Sequence, residues 1–164
     1  MQAAGILPFG QLPYMEHGSI KIAQSGAIQR YIAKLGGLNG KDDAEYAKSE
    51  MLLCEAEDLF SGMAKCMYTP GKDKNECFNE YFDGPWKKQM AFLEKLIPDG
   101  QKYFVPGDKR VAGGYGIACA LDIALHVQPD CIDAFPKLKA FYQDVVASDA
   151  FAGVIDTPNY ITRA

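Results

Sequence analysis

The sequence has no excess of positive charge, and this limits the partners it can bind. Its 164 residues carry a formal net charge of -4, with a sequence pI near 5.2. Proteins that bind nucleic acid or anionic membrane surfaces usually show clustered Lys and Arg and a basic balance. The composition therefore gives no support for either kind of partner.

Long apolar runs are also missing. No stretch reaches the ~18–20 apolar residues that a membrane-spanning helix needs. The first ten residues, MQAAGILPFG, lack a basic region and are interrupted by Pro8 and Gly10, so they do not resemble a secretory signal. We therefore expect a soluble, intracellular protein, cytoplasmic in the first instance, although these features do not distinguish the cytoplasm from an organelle.

The sequence has few histidines, and its cysteines do not form a recognisable metal-binding or redox motif. The two histidines, His17 and His126, have no Cys or carboxylate at ligand spacing, so we expect no metal site. The five cysteines form no CxxC motif, and most lie in apolar helical stretches. We expect them to be reduced, structural thiols in a reducing compartment. A nucleophilic cysteine would need a cationic neighbour, which the sequence alone does not reveal.

A hairpin and a helix open the chain. The segment LPYMEHGSIKIAQ alternates in character and predicts strands over 12–17 and 20–24 around a short Gly-Ser loop. Pro13 at the front of the first strand must lie at an edge or in a special turn, because it cannot donate to a ladder. Ser25 is then the expected N-cap of an amphipathic helix that ends at Gly36-Gly37.

The rest of the chain is predicted to be helical. A long helix over 43–67 and a second over 75–96, bent at Gly84-Pro85, follow the linker GGLNGKDD. The segment GIACALDIALHV is apolar nearly all round and should be the central buried helix. Shorter helices over 135–146 and 150–155 close the chain. The expected fold is α+β in two parts, with residues 1–37 as a β-β-α unit, 38–42 as linker and 43–164 as an all-α domain of about five helices.

Three stretches resemble cytosolic glutathione transferases, closest to the sigma- and mu-type classes. They are PFGQLP with the following IAQSGAIQRYIAK, the acidic pair Glu57-Asp58, and QPDCIDAFPKLKAF, which is similar to the family's PDxLDxxPxL segment. The resemblance implies a thioredoxin-like domain, then an all-α domain, in a dimer. The family's first strand, first helix and second strand, with its catalytic Tyr or Ser, have no counterpart here. We therefore expect a partial thioredoxin-like unit and assign no catalytic residue.

The same resemblance implies how glutathione would be bound. The backbone N–H and C=O of Leu12 would hydrogen-bond to the cysteinyl part of glutathione, because main-chain hydrogen bonds are well suited to bind an extended peptide. Pro13 would be cis, with an ordinary trans edge-strand proline as the alternative. Gln24 and Ser25 would bind the γ-glutamyl carboxylate where helix N–H groups attract anions. The alternative role for Ser25 is simply to cap the helix that begins there.

Two further residues complete the implied site. Gln11 is a candidate for the glycyl end, and a solvated loop residue is its alternative. Asp58 is similar to an acidic residue that reaches the amino group of the glutathione bound by a partner subunit. The alternative for Asp58 is a solvated helix face, because acidic residues cluster around it.

The chain also departs from the family pattern. Ala4 stands where the family has a basic residue of the glutathione site. Val111 and Gly114 stand where the family has a Ser/Thr-x-x-Asp capping box, so the buried helix should start loosely or be held by other contacts. Tyr68 and Tyr115 could line an electrophile pocket, although tyrosines at helical spacing are more often core residues.

These features predict a glutathione transferase-like protein that binds glutathione and, in a full-length form, conjugates it to small electrophiles. A catalytically silent accessory subunit is the alternative, with the open edge of the hairpin paired to a partner, because a lone hairpin is marginal in water. A dimeric binder of glutathione or of hydrophobic ligands without turnover is a third.

Overall fold

The computed structural model describes residues 6–107 and 110–151 as a hairpin and a helix followed by five further α-helices. Ala4 and most of the predicted helix over 150–155 lie outside these residues. The elements are β1 Tyr14–His17, β2 Ile20–Ala23, α1 Ser25–Leu35, α2 Asp43–Tyr68, α3 Lys74–Tyr81, α4 Lys87–Leu96, α5 Ala112–Val127 and α6 Pro136–Val146. In this part of the chain, no helix is both long and apolar enough to cross a bilayer.

The hairpin lies where it was predicted, but its strands are shorter at the open end, where β1 begins at Tyr14 and β2 ends at Ala23. β1 and β2 are antiparallel, with Tyr14 opposite Ala23 and His17 opposite Ile20. Gly18 adopts φ 60° in the two-residue loop between them, a conformation that glycine enters without steric cost. The Leu12–Pro13 peptide bond is cis, as the resemblance implied. Within the described residues the sheet has these two strands alone.

Helix α1 leaves most of its apolar face uncovered. Ala33 is its one buried residue, whereas Ile32 is 51% exposed and Leu35 is 59% exposed. Two four-residue strands are too narrow to cover a helix of eleven residues. The β-β-α unit therefore buries little of its own apolar surface.

The core lies among the later helices, with α5 at its centre. Helix α5 packs chiefly against α2 and also contacts α6. Leu52 and Leu59 from α2 meet Ile117 and Leu121 from α5 in a region with no solvent exposure. The nearly continuous apolar sequence of α5 is thereby explained, because the helix has neighbours on several sides.

The predicted bend at Gly84-Pro85 is present as a short π-helical segment, Phe82–Trp86, between α3 and α4. Pro85 has no N–H to donate, so the regular hydrogen-bond pattern cannot continue through it. The segment turns Trp86 fully into the core, where its Nε1–H donates to the carbonyl oxygen of Cys131 at 3.0 Å. The interruption therefore positions the single tryptophan.

The start of α5 is held by other parts of the chain. Val111 at the N-cap has no side-chain cap, as expected from the missing capping box. Instead, the Ala112 N–H donates to the Leu38 carbonyl at 2.9 Å, and the Gly113 N–H donates to the hydroxyl of buried Ser49 at 3.0 Å. Two donors that would be unpaired at a helix end are thus satisfied from the linker and from α2.

Gly113 permits a backbone contact between α2 and α5. A Cβ at this position would overlap the carbonyl oxygen of Ser49 and lie 2.6 Å from the Cβ of Leu52. The neighbouring Gly114 is different, because a Cβ there would meet Phe141 at an ordinary 3.8 Å. Of these two glycines, only Gly113 sets the spacing between α2 and α5, because only there would a side chain collide with the facing helix.

On α6, Asp144 anchors the loop that leads into α5. It accepts hydrogen bonds from the Tyr103 hydroxyl, from Arg110 at 3.0 Å and from Lys102 at 3.3 Å. The bonds from Tyr103 and Arg110 lower the pKa of Asp144 to about 2. The carboxylate is therefore charged throughout the physiological pH range and ties this loop to the last described helix.

The cysteine expectation is wrong for two residues. Cys66 near the end of α2 and Cys77 on α3 form a disulfide, with Cα atoms 5.3 Å apart and a separation of 11 residues in sequence. Cys54, Cys119 and Cys131 are free. Burial raises the pKa of Cys119 to about 11 and that of Cys131 to about 12, so these two are the inert thiols that the apolar pattern indicated.

Substituting Gly113 tests the backbone contact. We expect Gly113→Ala to lower the free energy of unfolding by about 1–3 kcal/mol, because the added methyl group forces α2 and α5 apart. Gly114→Ala is the matched control, and it should raise stability by about 0.5–1 kcal/mol through helix propensity. Urea denaturation followed by circular dichroism measures both. Equal stability of the two variants would contradict the close contact.

Reduction tests the Cys66–Cys77 disulfide. After denaturation, which exposes the buried thiols, the oxidised chain should offer three alkylatable thiols and the reduced chain five, and mass spectrometry of the alkylated protein distinguishes them. We expect reduction to lower the free energy of unfolding by about 2–3 kcal/mol, because a closed loop of this length restricts the unfolded chain. Cys54→Ser should leave that difference unchanged. Five reactive thiols without reductant would refute the pairing.

Candidate functional site

The N-terminus of α1 carries an open set of hydrogen-bond donors. Gln24 occupies the N-cap position and its side chain makes no capping bond, while the first turn contains no acidic residue. The expectation that Ser25 is the N-cap is therefore wrong. The Gln24 carbonyl already accepts the Ile28 N–H at 3.0 Å, which makes Ser25 the first helical residue. Gln24 and Ser25 are both exposed, so a ligand can reach their side chains at the start of the helix.

The backbone of Gln24 is unusual. Its φ of 76° and ψ of 121° lie in a region that side-chain-bearing residues rarely adopt. It is the one non-glycine residue with positive φ in the described part of the chain. Such conformations cost about 1–3 kcal/mol and cluster at binding sites. The turn between β2 and α1 is therefore a candidate binding feature.

A cleft of about 510 Å³ opens between α1, α2 and α5. Its volume is within the usual range for ligand sites, about 300–1,000 Å³. Ile32, Leu53 and Phe60 contribute to its apolar wall, and Ser25 and Glu57 are among its polar groups. The cleft therefore joins the N-terminus of α1 to an apolar space.

Charged side chains on α2 border the start of α1. Arg30 donates to Glu50 through Nε at 2.6 Å and to the Gly26 carbonyl through Nη1 at 3.0 Å, and the bond to Glu50 raises the pKa of Arg30. A Cβ on Gly26 would lie 3.8 and 3.9 Å from the two carboxylate oxygens of Glu57. No hydrogen-bond or ion-pair partner of that carboxylate is found among residues 6–107 and 110–151.

Five of the six predicted binding residues lie at one end of the hairpin. Because Tyr14 is opposite Ala23, residues 11–13 and Gln24-Ser25 leave the two strands on the same side. Gln11, Leu12 and Pro13 are exposed, and Leu12 keeps 68% of its surface accessible. Among the described residues, nothing hydrogen-bonds to the backbone of Leu12. The structure thus brings these five residues together.

Asp58 lies elsewhere on α2. It is exposed but does not line the cleft, and it faces Glu55 and Tyr81. Burial and the nearby carboxylates of Glu55 and Asp58 raise the pKa of Tyr81 to about 12. Within one chain, Asp58 is therefore separated from the other predicted residues.

From the sequence, Asp58 was selected as a binding residue and Glu57 beside it was not identified. Glu50, Cys54 and Glu57 recur at helical spacing on the side of α2 that faces α1, and this spacing is the signal that could have identified Glu57. Of the two tyrosines considered for a pocket, Tyr115 lines the cleft, whereas Tyr68 is 80% exposed outside it. No group of three or more His, Cys, Asp or Glu residues suited to a metal occurs in the described ranges.

Comparison with known proteins gives consistent matches. The family described as "Glutathione S-transferase, N-terminal domain" matches residues 4–34, and "Glutathione S-transferase, C-terminal domain" matches residues 57–153. A glutathione S-transferase of Dirofilaria immitis is 35% identical over 137 residues, which are 82% of this chain and 64% of that protein. Glutathione S-transferase Mu 1 of Macaca fascicularis is 34% identical over 157 residues, 96% of this chain and 70% of that one.

A solved structure agrees with these matches. The pi-class glutathione S-transferase of Onchocerca volvulus superposes with a TM-score of 0.83 at 27% identity, over 94% of this chain and 75% of that chain. The predicted arrangement, a partial thioredoxin-like unit followed by an all-α domain, is confirmed. The chain spans 64% and 60% of the lengths of the first two curated relatives it matches.

Replacing Gln24 by glycine tests the strain at the start of α1. We expect Gln24→Gly to raise the free energy of unfolding by about 1 kcal/mol, because glycine adopts positive φ without the steric penalty. Gln29→Gly in the middle of the same helix is the control, and it should lower stability by about 0.5–1 kcal/mol. Thermal and urea denaturation report both changes. A Gln24→Gly variant less stable than the parent would show that the turn is relaxed.

Proposed function

The chain belongs to the glutathione S-transferase family, and from this we propose that it binds glutathione with the γ-glutamyl end at the N-terminus of α1. The observation that carries the proposal is the match of the family's N-terminal domain to residues 4–34. That range contains Gln11, Leu12, Pro13, Gln24 and Ser25, all of the proposed binding residues except Asp58. The exposed first turn of α1 supports the assignment.

At the γ-glutamyl end, the ligand carboxylate accepts hydrogen bonds from the amides of the first turn and from the Ser25 hydroxyl. The positive end of the helix dipole adds to this attraction. The Gln24 side chain makes a further contact to the same end. The unusual backbone of Gln24 supports this role, because it turns the chain so that its side chain and that of Ser25 both remain exposed.

At the other end, the tripeptide lies along the segment before β1. The Leu12 N–H and C=O hydrogen-bond to the cysteinyl part of glutathione, as the backbone at the end of a strand binds an extended peptide. Gln11 contacts the glycyl end. The exposed position of both residues, and the lack of any described partner for the Leu12 backbone, support these contacts.

We extend the proposal to the assembled protein. It is a cytoplasmic homodimer in which Asp58 of one subunit reaches the glutathione of the other, and glutathione is its ligand without a metal. Conjugation to small electrophiles belongs to a form that also carries the family's catalytic Tyr or Ser, a residue we do not assign in this chain. The exposure of Asp58 away from the cleft supports an intersubunit role.

An accessory role is the second candidate, favoured by the uncovered face of α1. Ile32 and Leu35 are more exposed than a stable apolar helix face usually is. Strands from a partner protein, added to the edge of the hairpin, would cover them. A monodisperse monomer that binds glutathione would argue against this role.

Calorimetric titration with glutathione tests the main proposal. We expect Ser25→Ala to weaken binding about tenfold, since a hydrogen bond to a charged ligand group contributes about 1.5 kcal/mol or more. Ser19→Ala, in the exposed hairpin loop, is the control and should bind as the parent does. No heat of binding from the parent chain at millimolar glutathione would overturn the proposal.

A further inference from the structure

We propose that Cys66 and Cys77 form a redox switch, which ties residues 67–80 to the body of α2 when it is oxidised and releases them when it is reduced. This segment comprises the end of α2, the following loop and most of α3. It lies outside the proposed glutathione site, and its release does not depend on glutathione binding. The change occurs within the folded chain and is separate from the loss of global stability on reduction.

The burial pattern of the segment singles out the disulfide. Every residue from 67 to 76 is exposed, whereas Cys66 and Cys77, which enclose them, are 3% and 8% exposed. Beyond Cys77, Asn79 and Glu80 are exposed again. The cysteine pair is therefore the main buried contact by which this segment is attached.

The other contacts of the segment are internal to it or weak. Lys72 donates to Glu80 at 3.1 Å in an exposed ion pair, and the side chain of Asp73 accepts the Glu76 N–H at 2.9 Å. Neither bond leaves the segment, and Phe78 adds only a partly buried apolar contact with the core. A helix of eight residues is marginal in water by itself, so α3 needs the disulfide to remain docked.

The released segment ends before Tyr81. The Tyr81 hydroxyl donates to the Leu59 carbonyl at 3.2 Å, and its ring packs so closely on Gly62 that a Cβ there would lie 2.5 Å from it. Phe82, the next residue, is buried in the core. These contacts do not involve the cysteines, so they hold the chain after residue 80 in either redox state.

Reduction proceeds by two exchange steps. The thiolate of a small-molecule thiol attacks one sulfur of the disulfide, which forms a mixed disulfide and releases the other cysteine as a thiolate that takes up a proton. A second small thiol attacks the mixed disulfide and releases the first cysteine. The protein disulfide gains two electrons, and the two small thiols become one disulfide. Oxidation reverses each step, with that small-molecule disulfide as the oxidant.

The exposed segment gives a route to the buried sulfurs. A region with few buried contacts opens locally at a much lower cost than global unfolding. Residues 67–76 meet this description, because none of them is buried. A small thiol can therefore reach Cys66 and Cys77 while the helical core stays intact.

The proposed cytoplasmic location favours a switch over a permanent crosslink. Disulfides in a reducing cytoplasm are usually transient and serve redox sensing or catalysis. A catalytic cysteine is partly exposed, whereas both cysteines of this pair are buried in the oxidised fold. Sensing requires only that the oxidised and reduced chains differ in structure, and the exposed segment provides that difference.

Hydrogen–deuterium exchange of the whole chain, followed by mass spectrometry, tests the switch. The chain is equilibrated with mercaptoethanol or with its disulfide, neither of which carries the γ-glutamyl end of glutathione. We expect the amides of 74–80 to exchange at least about tenfold faster in the reduced chain, because α3 then opens locally. The amides in the middle of α5 should stay protected in both states, and reoxidation should restore the protection of α3.

Three variants serve as controls. Cys54→Ser removes a free, exposed thiol on α2 and should keep the full redox response. Cys77→Ser cannot form the disulfide, so its α3 should exchange as in the reduced parent whether thiol or disulfide is present. Cys66→Ala should behave in the same way, which separates loss of the bond from any effect of a new hydroxyl group. Circular dichroism verifies that each variant is folded.

The results separate the switch from its alternatives. Equal exchange of α3 in the oxidised and reduced chains would overturn the proposal. A reduced chain in which α5 loses protection as far as α3 does would also overturn it, because the disulfide would then support the whole fold. Failure of mercaptoethanol to reduce the pair in the folded chain, or loss of the response in Cys54→Ser, would do the same. Absence of glutathione binding would defeat the proposed function and leave this inference standing.

Discussion

The backbone contact between α2 and α5 at Gly113 is the constraint on which the other features depend. The carbonyl of Ser49 occupies the space of the absent side chain, and the Ser49 hydroxyl accepts the Gly113 N–H at 3.0 Å. The two helices are therefore fixed in both spacing and register. The core residues around Leu52 and Ile117 close over this contact, and one side of the cleft is formed by the same two helices.

Helix α1 depends on that framework for its position. Its hairpin is small and its apolar face is largely open, so the β-β-α unit has little core of its own. The ion pair between Arg30 and Glu50, and the hydrogen bond from Ala112 to Leu38 just after α1, attach it to α2 and α5. The candidate site is thus built where a weakly supported helix end meets a well-packed helix pair.

Much of this could be predicted from local sequence. The strands, the long helices and the interruption at Pro85 follow from alternation, helical spacing and proline chemistry, and the family resemblance added the cis bond at Pro13. The N-cap lies one position before the predicted Ser25, because Ser is a good N-cap in general and the positive φ that Gln24 adopts is not suggested by its residue type. The Cys66–Cys77 pairing and the role of Ser49 depend on helix packing, which spacing along one chain does not encode. Glu57 was passed over because adjacent acidic residues on a helix differ only in the direction they face.

The external cap on α5 has a consequence for the order in which structure forms. A helix that supplies its own N-cap can form its first turn independently. The first-turn amides of α5 instead donate to the Leu38 carbonyl and the Ser49 hydroxyl, which lie outside the helix. The hydrogen bonds of its first two amides form only when the linker residue Leu38 and Ser49 of α2 are in place. Hydrogen exchange at the first turn of α5 would therefore report on its contact with the linker and with α2 rather than on the helix by itself.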